Sequence, residues 1–114
     1  MRQLMEKYGP DGFDVVYSHN DAMTLGALDV LESSDDPSVK DVIVITVDGE
    51  KEAVDALKAG RINCVVQCTP HLGPSVMSLV RDMKEGKTIA KANNPDEGAF
   101  TDFDDLTDPA VEGF

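Results

Sequence analysis

The chain has 114 residues, of which 41% are hydrophobic and 28% are charged, so it can form one soluble domain or part of a larger one. Its 22 acidic and 10 basic residues give a formal net charge of −12, which disfavours binding to nucleic acids and to anionic membranes. No apolar run reaches the roughly 20 residues that cross a bilayer. The first residues also lack the apolar stretch of an export signal, so neither membrane insertion nor export is expected of this chain by itself.

The first two strand–helix units are delimited by turn and capping residues. A helix over residues 1–8 should end at Gly9-Pro10, because proline cannot continue a helix and glycine suits its C-terminal cap. Residues 13–18 (FDVVYS) are a strand candidate, and Asn20 or Asp21 should cap a helix over residues 22–32. The unbroken apolar run at residues 42–47 predicts a strand that is buried on both faces, as in a parallel sheet.

A helix over residues 50–59 follows this strand and should stop at Gly60. A third unit follows, with a strand over residues 63–68 and a helix over residues 72–85 whose apolar residues are spaced i, i+3, i+4. Beyond Gly86 the regularity fades. Short strands are expected at residues 88–90 and 99–103.

Three successive strand–helix units predict an α/β fold, a doubly wound parallel sheet in three α/β/α layers with right-handed crossovers. Residues 13–91 hold these repeats. Residues 92–114 form an acidic crossover or tail, which we interpret as solvated rather than as an acidic docking segment. Three core strands would leave two apolar edges bare, so we expect either a piece of a longer protein or a homodimer that pairs through those edges.

Ligands of an open parallel sheet bind beyond the carboxyl ends of its strands. Asn20, Asp48 and Gln67 follow or end the three predicted strands, and their amide and carboxylate heads suit a ligand with many hydroxyl groups. Each residue also has a purely structural interpretation: a helix cap, a turn residue or a surface amide. Their occurrence at one predicted edge favours a binding site.

No catalytic, metal or cofactor site is predicted. Cys64 and Cys68 on one strand would lie about 13 Å apart, whereas a disulfide needs Cα atoms within about 7 Å, so free thiols are expected. Only His19 and His71 could join them, without the tight spacing of a metal site. Gly86-Lys87-Thr88 resembles the end of a phosphate-binding loop, but Arg81 occupies the position of the required glycine.

Three segments in register resemble type I periplasmic sugar-binding proteins, the substrate-binding proteins of ABC transporters. They are residues 15–31 (VVYSHNDAMTLGALDVL), residues 42–49 (VIVITVDG) and residues 56–73 (ALKAGRINCVVQCTPHLG). The resemblance implies the C-terminal part of a sugar-binding lobe in which Asn20, Asp48 and Gln67 contact the sugar. It also implies that Asp21 holds the helix start and the loop, whereas His19 is not a direct ligand.

The same resemblance implies a function: a non-catalytic sugar-binding component of an ABC-type uptake system. The complete protein would meet a permease and would lie in the periplasm or be lipid-anchored outside the cell. Because the family's N-terminal lobe is missing here, the isolated chain is expected to bind sugar only weakly. The alternative is the effector-binding domain of a lactose-repressor-type regulator, whose strand end often reads Asp-Asp where this chain has Asp48-Gly49.

Overall fold

A computed structural model describes residues 1–114. It contains four α-helices, one 3₁₀ turn and one four-stranded sheet. In chain order the elements are α1 (Arg2–Tyr8), β1 (Val15–Tyr17), α2 (Asp21–Glu32), the 3₁₀ turn Pro37–Asp41, β2 (Ile43–Asp48), α3 (Lys51–Lys58), β3 (Cys64–Gln67), α4 (Gly73–Lys84) and β4 (Ala99–Thr101). None of the helices has the length and apolarity needed to span a membrane.

The sheet has the order β1-β2-β3-β4, and its first three strands run parallel. β4 joins β3 antiparallel, with Val65 opposite Phe100. The predicted α/β class is therefore confirmed, with a mixed sheet in which only the core strands are parallel. Because β4 occupies the outer edge of β3, one of the two edges expected to be bare is covered.

The predicted strand at residues 88–90 is wrong, since these residues form no strand. A strand requires a hydrogen-bonded neighbour, and β4 already pairs with the available edge of β3. The prediction for residues 99–103 is confirmed over Ala99–Thr101. The predicted bounds of the three earlier strands and of the four helices agree with the structure to within two residues.

One face of the sheet is covered by α2 and α3, which contact each other and the strands beneath them. The core between them is aliphatic and includes Leu28 from α2, Val44 from β2, and Val54 and Leu57 from α3. On the opposite face Val15, Tyr17 and Ile43 remain 49%, 59% and 46% exposed. The buried core of the chain therefore lies between the sheet and the helices α2 and α3.

α1 and α4 contribute no buried residue, although α4 carries a helical apolar stripe. The C-terminal segment behaves differently from the solvated tail that its acidity predicts. All seven of its acidic side chains are exposed, but β4 extends the sheet and Val111 is buried in the core at 7% exposure. The apolar residues between the acids determine the path of this segment, and the acids face the solvent.

Candidate functional site

The predicted site lies at the edge of the sheet where β2 and β3 end. Asp48 and Gln67 are register partners in neighbouring parallel strands, and both are half-buried. The amide of Cys68 donates to the carbonyl of Asp48 over 2.7 Å, which carries the pairing one step past the end of β3. The sequence prediction that Asp48 and Gln67 meet at one edge is therefore consistent with the register of the strands.

Asp21 fastens the loop after β1 to the loop after β2. Its side chain is fully buried, and one carboxylate oxygen accepts hydrogen bonds from the amides of Gly49 and Glu50 at 2.8 and 2.7 Å. The other oxygen accepts from the hydroxyl of Thr46 at 2.6 Å. Asp21 therefore holds the loop after β2, as expected, whereas the start of α2 is capped by Asn20. Asn20 is the residue before Asp21, at the start of α2.

Two threonines complete the buried polar network, and sequence reasoning missed both. The hydroxyl of Thr24 lies 2.7 Å from that of Thr46, and both side chains are fully buried. A signal existed in the sequence, because Thr46 is the single polar residue in the apolar run of residues 42–47. Since Thr46 also donates to Asp21, the hydroxyl groups connect α2 to the middle of β2.

The three candidate side chains keep part of their hydrogen-bonding capacity unused. The Asn20 oxygen caps α2 by accepting from the Met23 amide at 2.8 Å, and the Gln67 oxygen accepts from the Gly98 amide at 3.2 Å. The interpretation of Asn20 as a helix cap is therefore confirmed, and this cap uses only the side-chain oxygen. The NH₂ groups of both amides and the carboxylate of Asp48 make no hydrogen bond within the chain, which leaves donors beside an acceptor.

Asp48 has an unusual backbone conformation. Its φ of 134° makes it the single non-glycine residue of the chain with a positive φ. Such a conformation costs on the order of 1–3 kcal/mol and persists where the surroundings enforce it. Here the bonds from Gly49 and Glu50 to Asp21 on one side, and from Cys68 to the Asp48 carbonyl on the other, enforce it.

The same edge is bordered by the end of the chain, which sequence reasoning did not connect with the site. The Phe114 amide donates to the Gly49 carbonyl at 3.1 Å, and the Lys51 amide donates to the Phe114 carbonyl at 3.3 Å. The Phe114 ring packs edge-to-face against His71, with centroids 5.5 Å apart. His19, by contrast, packs against Tyr17. Contacts between such distant positions leave no local pattern in a sequence.

A hollow of about 340 Å³ lies elsewhere, between α1 and β1. Seven of the eight residues around it are hydrophobic, among them Leu4, Phe13 and Tyr17. A hydroxyl-rich ligand needs several convergent polar groups to orient it, which this hollow lacks. A sugar site is therefore favoured at the edge where β2 and β3 end, although that edge is an open surface and not an enclosed cavity.

Both cysteines are free, with Cys64 half-buried and Cys68 exposed. Burial, aided by the negative charges of Asp102 and Asp104, raises the pKa of the Cys64 thiol above its ordinary value. The thiol therefore stays protonated near neutral pH, and Cys64 is a poor nucleophile and metal ligand.

Comparisons with known proteins identify the family of this chain. A model of the periplasmic binding protein domain matches residues 1–88. The fructose import binding protein of Bifidobacterium longum is 33% identical over 89 residues, and the ribose import binding protein of Bacillus subtilis is 35% identical over 92 residues. These matches cover 77% and 80% of this chain but only 26% and 28% of the two relatives. The chain thus spans little more than a quarter of their length.

Solved structures of sugar-bound proteins also match this chain. A Mycobacterium smegmatis protein in complex with β-D-fucofuranose is 30% identical with a TM-score of 0.71, and the match covers 89% of this chain and 34% of that one. The arabinose-transporter binding protein of Shewanella, bound to L-arabinofuranose, is also 30% identical with a TM-score of 0.67, covering 77% of this chain and 30% of that one. These relatives favour the transport interpretation over the regulator. The chain belongs to the periplasmic binding protein domain family, in its type I sugar-binding branch.

Proposed function

We propose that this chain carries the C-terminal-lobe half of a sugar-binding site, and that the protein it belongs to delivers a sugar to an ABC-type importer without chemical turnover. The proposal is supported by the pairing of Asp48 with Gln67 at the carboxyl edge of β2 and β3, and by the hydrogen bonds that hold Asp21, the neighbour of Asn20, to the loop after Asp48. Two amide NH₂ groups beside a carboxylate match adjacent sugar hydroxyls, each of which donates and accepts.

The proposed ligand is a monosaccharide in its five-membered ring form. Two structures that are 30% identical to this chain contain fucofuranose and arabinofuranose, and further relatives are named for fructose and ribose import. A small ring suits the short edge, because two neighbouring strands lie only about 4.8 Å apart. Hydroxyl groups on one side of such a ring can therefore reach Asp48 and Gln67 together.

Binding without reaction follows from the chemistry of the three side chains. An amide neither attacks nor transfers a proton at neutral pH, and Asp48 has no second acid or base bonded to it. Glycoside cleavage, by comparison, uses a pair of carboxyl groups on either side of the scissile bond. The role we assign to Asn20, Asp48 and Gln67 is recognition.

The proposed partner is the permease of the importer, and the proposed location is the periplasm or, with a lipid anchor, the outer face of the cell. A homodimer that pairs through a sheet edge is a further proposal, with β1 as the edge, because β4 covers β3. Size-exclusion chromatography coupled to light scattering tests it. A dimer supports pairing, and a monomer across the micromolar range excludes it.

The binding test is a ¹⁵N–¹H NMR titration of the 114-residue chain with D-ribose, D-fructose and L-arabinose. We expect the Gly49 and Glu50 amide signals to move with a dissociation constant on the order of 1 mM or weaker, equivalent to about −4 kcal/mol. Asp48→Asn should weaken binding at least about tenfold, because a hydrogen bond to a charged group contributes about 1.5–3 kcal/mol.

The matched control is Asp96→Asn, which removes the same charge from an exposed residue of the C-terminal segment. It should bind as the unaltered chain does, which separates the local effect of Asp48 from the effect of net charge. The proposal fails if no signal near the edge moves with any of the three sugars, or if Asp48→Asn binds as tightly as Asp96→Asn.

A further inference from the structure

We infer that Phe114 forms an apolar wall of the sugar site, so that the C-terminal segment takes part in ligand binding. This inference rests on the proposed function and adds a binding residue that the three polar positions do not include. It starts from the path of residues 111–114, which leave the core at Val111 and end against the loop between β2 and α3.

Close packing holds the segment against this loop. A Cβ atom at Gly113 would lie 2.5 Å from the Lys51 Cα, so only glycine permits the approach. The backbone of Phe114 then exchanges two hydrogen bonds with the loop, one to Gly49 and one from Lys51, at 3.1 and 3.3 Å. The position of the Phe114 side chain is thus set by its backbone contacts.

The ring of Phe114 lies beside the candidate polar groups. A Cβ atom at Gly49, the residue after Asp48, would be 3.3 Å from the ring and 3.5 Å from the Gln67 side chain. The His71 and Phe114 rings form an edge-to-face pair with an interplanar angle of 79°. Phe114 as a whole residue is 38% exposed, so it is not closed off from a ligand at this edge.

Sugar chemistry explains what such a surface does. A sugar ring presents hydroxyl groups at its rim and C–H groups on its faces, and small-ligand sites combine a few oriented polar groups with apolar or aromatic walls. The electron-rich face or polarised edge of an aromatic ring contacts C–H groups favourably. Asn20, Asp48 and Gln67 supply the polar contacts, and Phe114 supplies an apolar surface next to Gln67.

The test compares Phe114→Ala and Phe114→Leu with Phe103→Ala in the D-ribose, D-fructose and L-arabinose titrations. Phe103 is the matched control, since it belongs to the same C-terminal segment but is 94% exposed. We expect Phe114→Ala to weaken binding about two- to tenfold, the range expected for one aromatic contact, and Phe114→Leu to weaken it less. Phe103→Ala should leave the dissociation constant unchanged.

A purely structural role for Phe114 is separated by nuclear Overhauser effects between its ring protons and the C–H protons of the bound sugar. Direct contact predicts such effects, whereas a ring that only supports Gly49 gives none. Binding by the unaltered chain that is lost in Asp48→Asn but retained in Phe114→Ala would overturn this inference and leave the proposed function standing. If the unaltered chain binds none of the sugars, both fail.

Discussion

α3 and α4 follow parallel strands and carry similar apolar spacings, yet they differ in what they contact. α3 buries four residues, namely Ala53, Val54, Ala56 and Leu57, against β3 and α2, whereas α4 buries none. The hydrogen-bonded loop at Asp48 and Gly49 leads directly into α3. The difference teaches that a helical apolar pattern predicts a helix but not the surface that the helix packs against.

The largest expected loss of stability comes from removing the Asp21 carboxylate, which holds the loop that leads into α3. Asp21→Ala leaves the amides of Gly49 and Glu50 and the hydroxyl of Thr46 without their acceptor in a fully buried position. We expect the free energy of unfolding in urea to fall by about 3 kcal/mol or more. Asp21→Asn, which keeps one acceptor oxygen, should lose less.

The control for this change is Asp29→Ala in the same helix, because the Asp29 side chain is 81% exposed and makes only a long ion pair to Arg61. Its unfolding free energy should stay within about 0.5 kcal/mol of the unaltered chain. Equal losses for Asp21→Ala and Asp29→Ala would show that the buried network does not hold the two loops together.

A matched pair of valines sharpens the comparison of the two helices. Val54 in α3 is 1% exposed, and Val80 in α4 is 49% exposed. Val54→Ala should lower the free energy of unfolding by about 2 kcal/mol, from lost burial and the cavity left behind. Val80→Ala should change it by less than about 0.5 kcal/mol. A large loss for Val80→Ala would mean that α4 packs against the rest of the chain in solution.

At Asp48 we expect sugar binding to require the aspartate, whereas the stability of the fold does not. Asp48→Gly removes the cost of a positive φ on a residue with a Cβ but loosens the unfolded chain, so we expect unfolding free energy to be unchanged or about 1 kcal/mol higher. Sugar binding should be lost. Asp48→Asn, which keeps the Cβ, is the control for stability, and a clear destabilisation by Asp48→Gly relative to it would contradict the conformational argument.

The smallest expected effect concerns the ion pair between α2 and the turn after α3. Arg61 donates to both carboxylate oxygens of Glu32, at 2.6 and 2.8 Å, and this hydrogen bonding lowers the pKa of Glu32. A carboxyl group whose pKa is lower in the folded state than in the unfolded state stabilises the fold at pH values above its unfolded-state pKa. This stabilisation disappears as the pH falls through the folded-state pKa. Glu32→Gln should therefore cost about 0.5 kcal/mol at pH 7, as measured by urea unfolding, and this cost should shrink as the pH falls below the ordinary pKa of glutamate.

If Glu32→Gln and the unaltered chain keep the same difference in unfolding free energy from pH 7 to pH 3, the ion pair is not the source of the effect. High salt gives an independent check. Both side chains are partly exposed, so added salt should screen the pair and reduce the difference at pH 7.

Much of the fold could be predicted because its signals are local. Glycine and proline mark the C-terminal end of the first helix, Asn20 caps α2, and the aliphatic run at residues 42–47 has the composition of a buried parallel strand. The antiparallel pairing of β4 with β3 could not be predicted in the same way. It joins Val65 to Phe100, 35 positions apart, and its register depends on side-chain packing that no short window contains.

The residues of the candidate site also differ in whether a local sequence signal marks them. Asp48 and Gln67 could be predicted to lie at one edge because each ends a recognisable strand, and they are register partners in the structure. Asn20 lies three residues beyond the end of β1, and its part in the site stays a prediction. Thr24 escaped notice because a threonine in an amphipathic helix has no distinguishing pattern. Phe114 escaped because its position depends on the close approach of Gly113 to Lys51, which only the folded chain reveals.

The central claim is that two amides and one carboxylate bind the same sugar. The most direct measurement follows the side-chain NH₂ signals of Asn20 and Gln67 during a D-ribose titration, with the exposed Asn94 as an internal reference. The account predicts that both signals shift with one dissociation constant, which the Gly49 amide shares, while Asn94 stays unchanged. Signals of Asn20 and Gln67 that remain fixed while the sugar shifts other parts of the chain would contradict it.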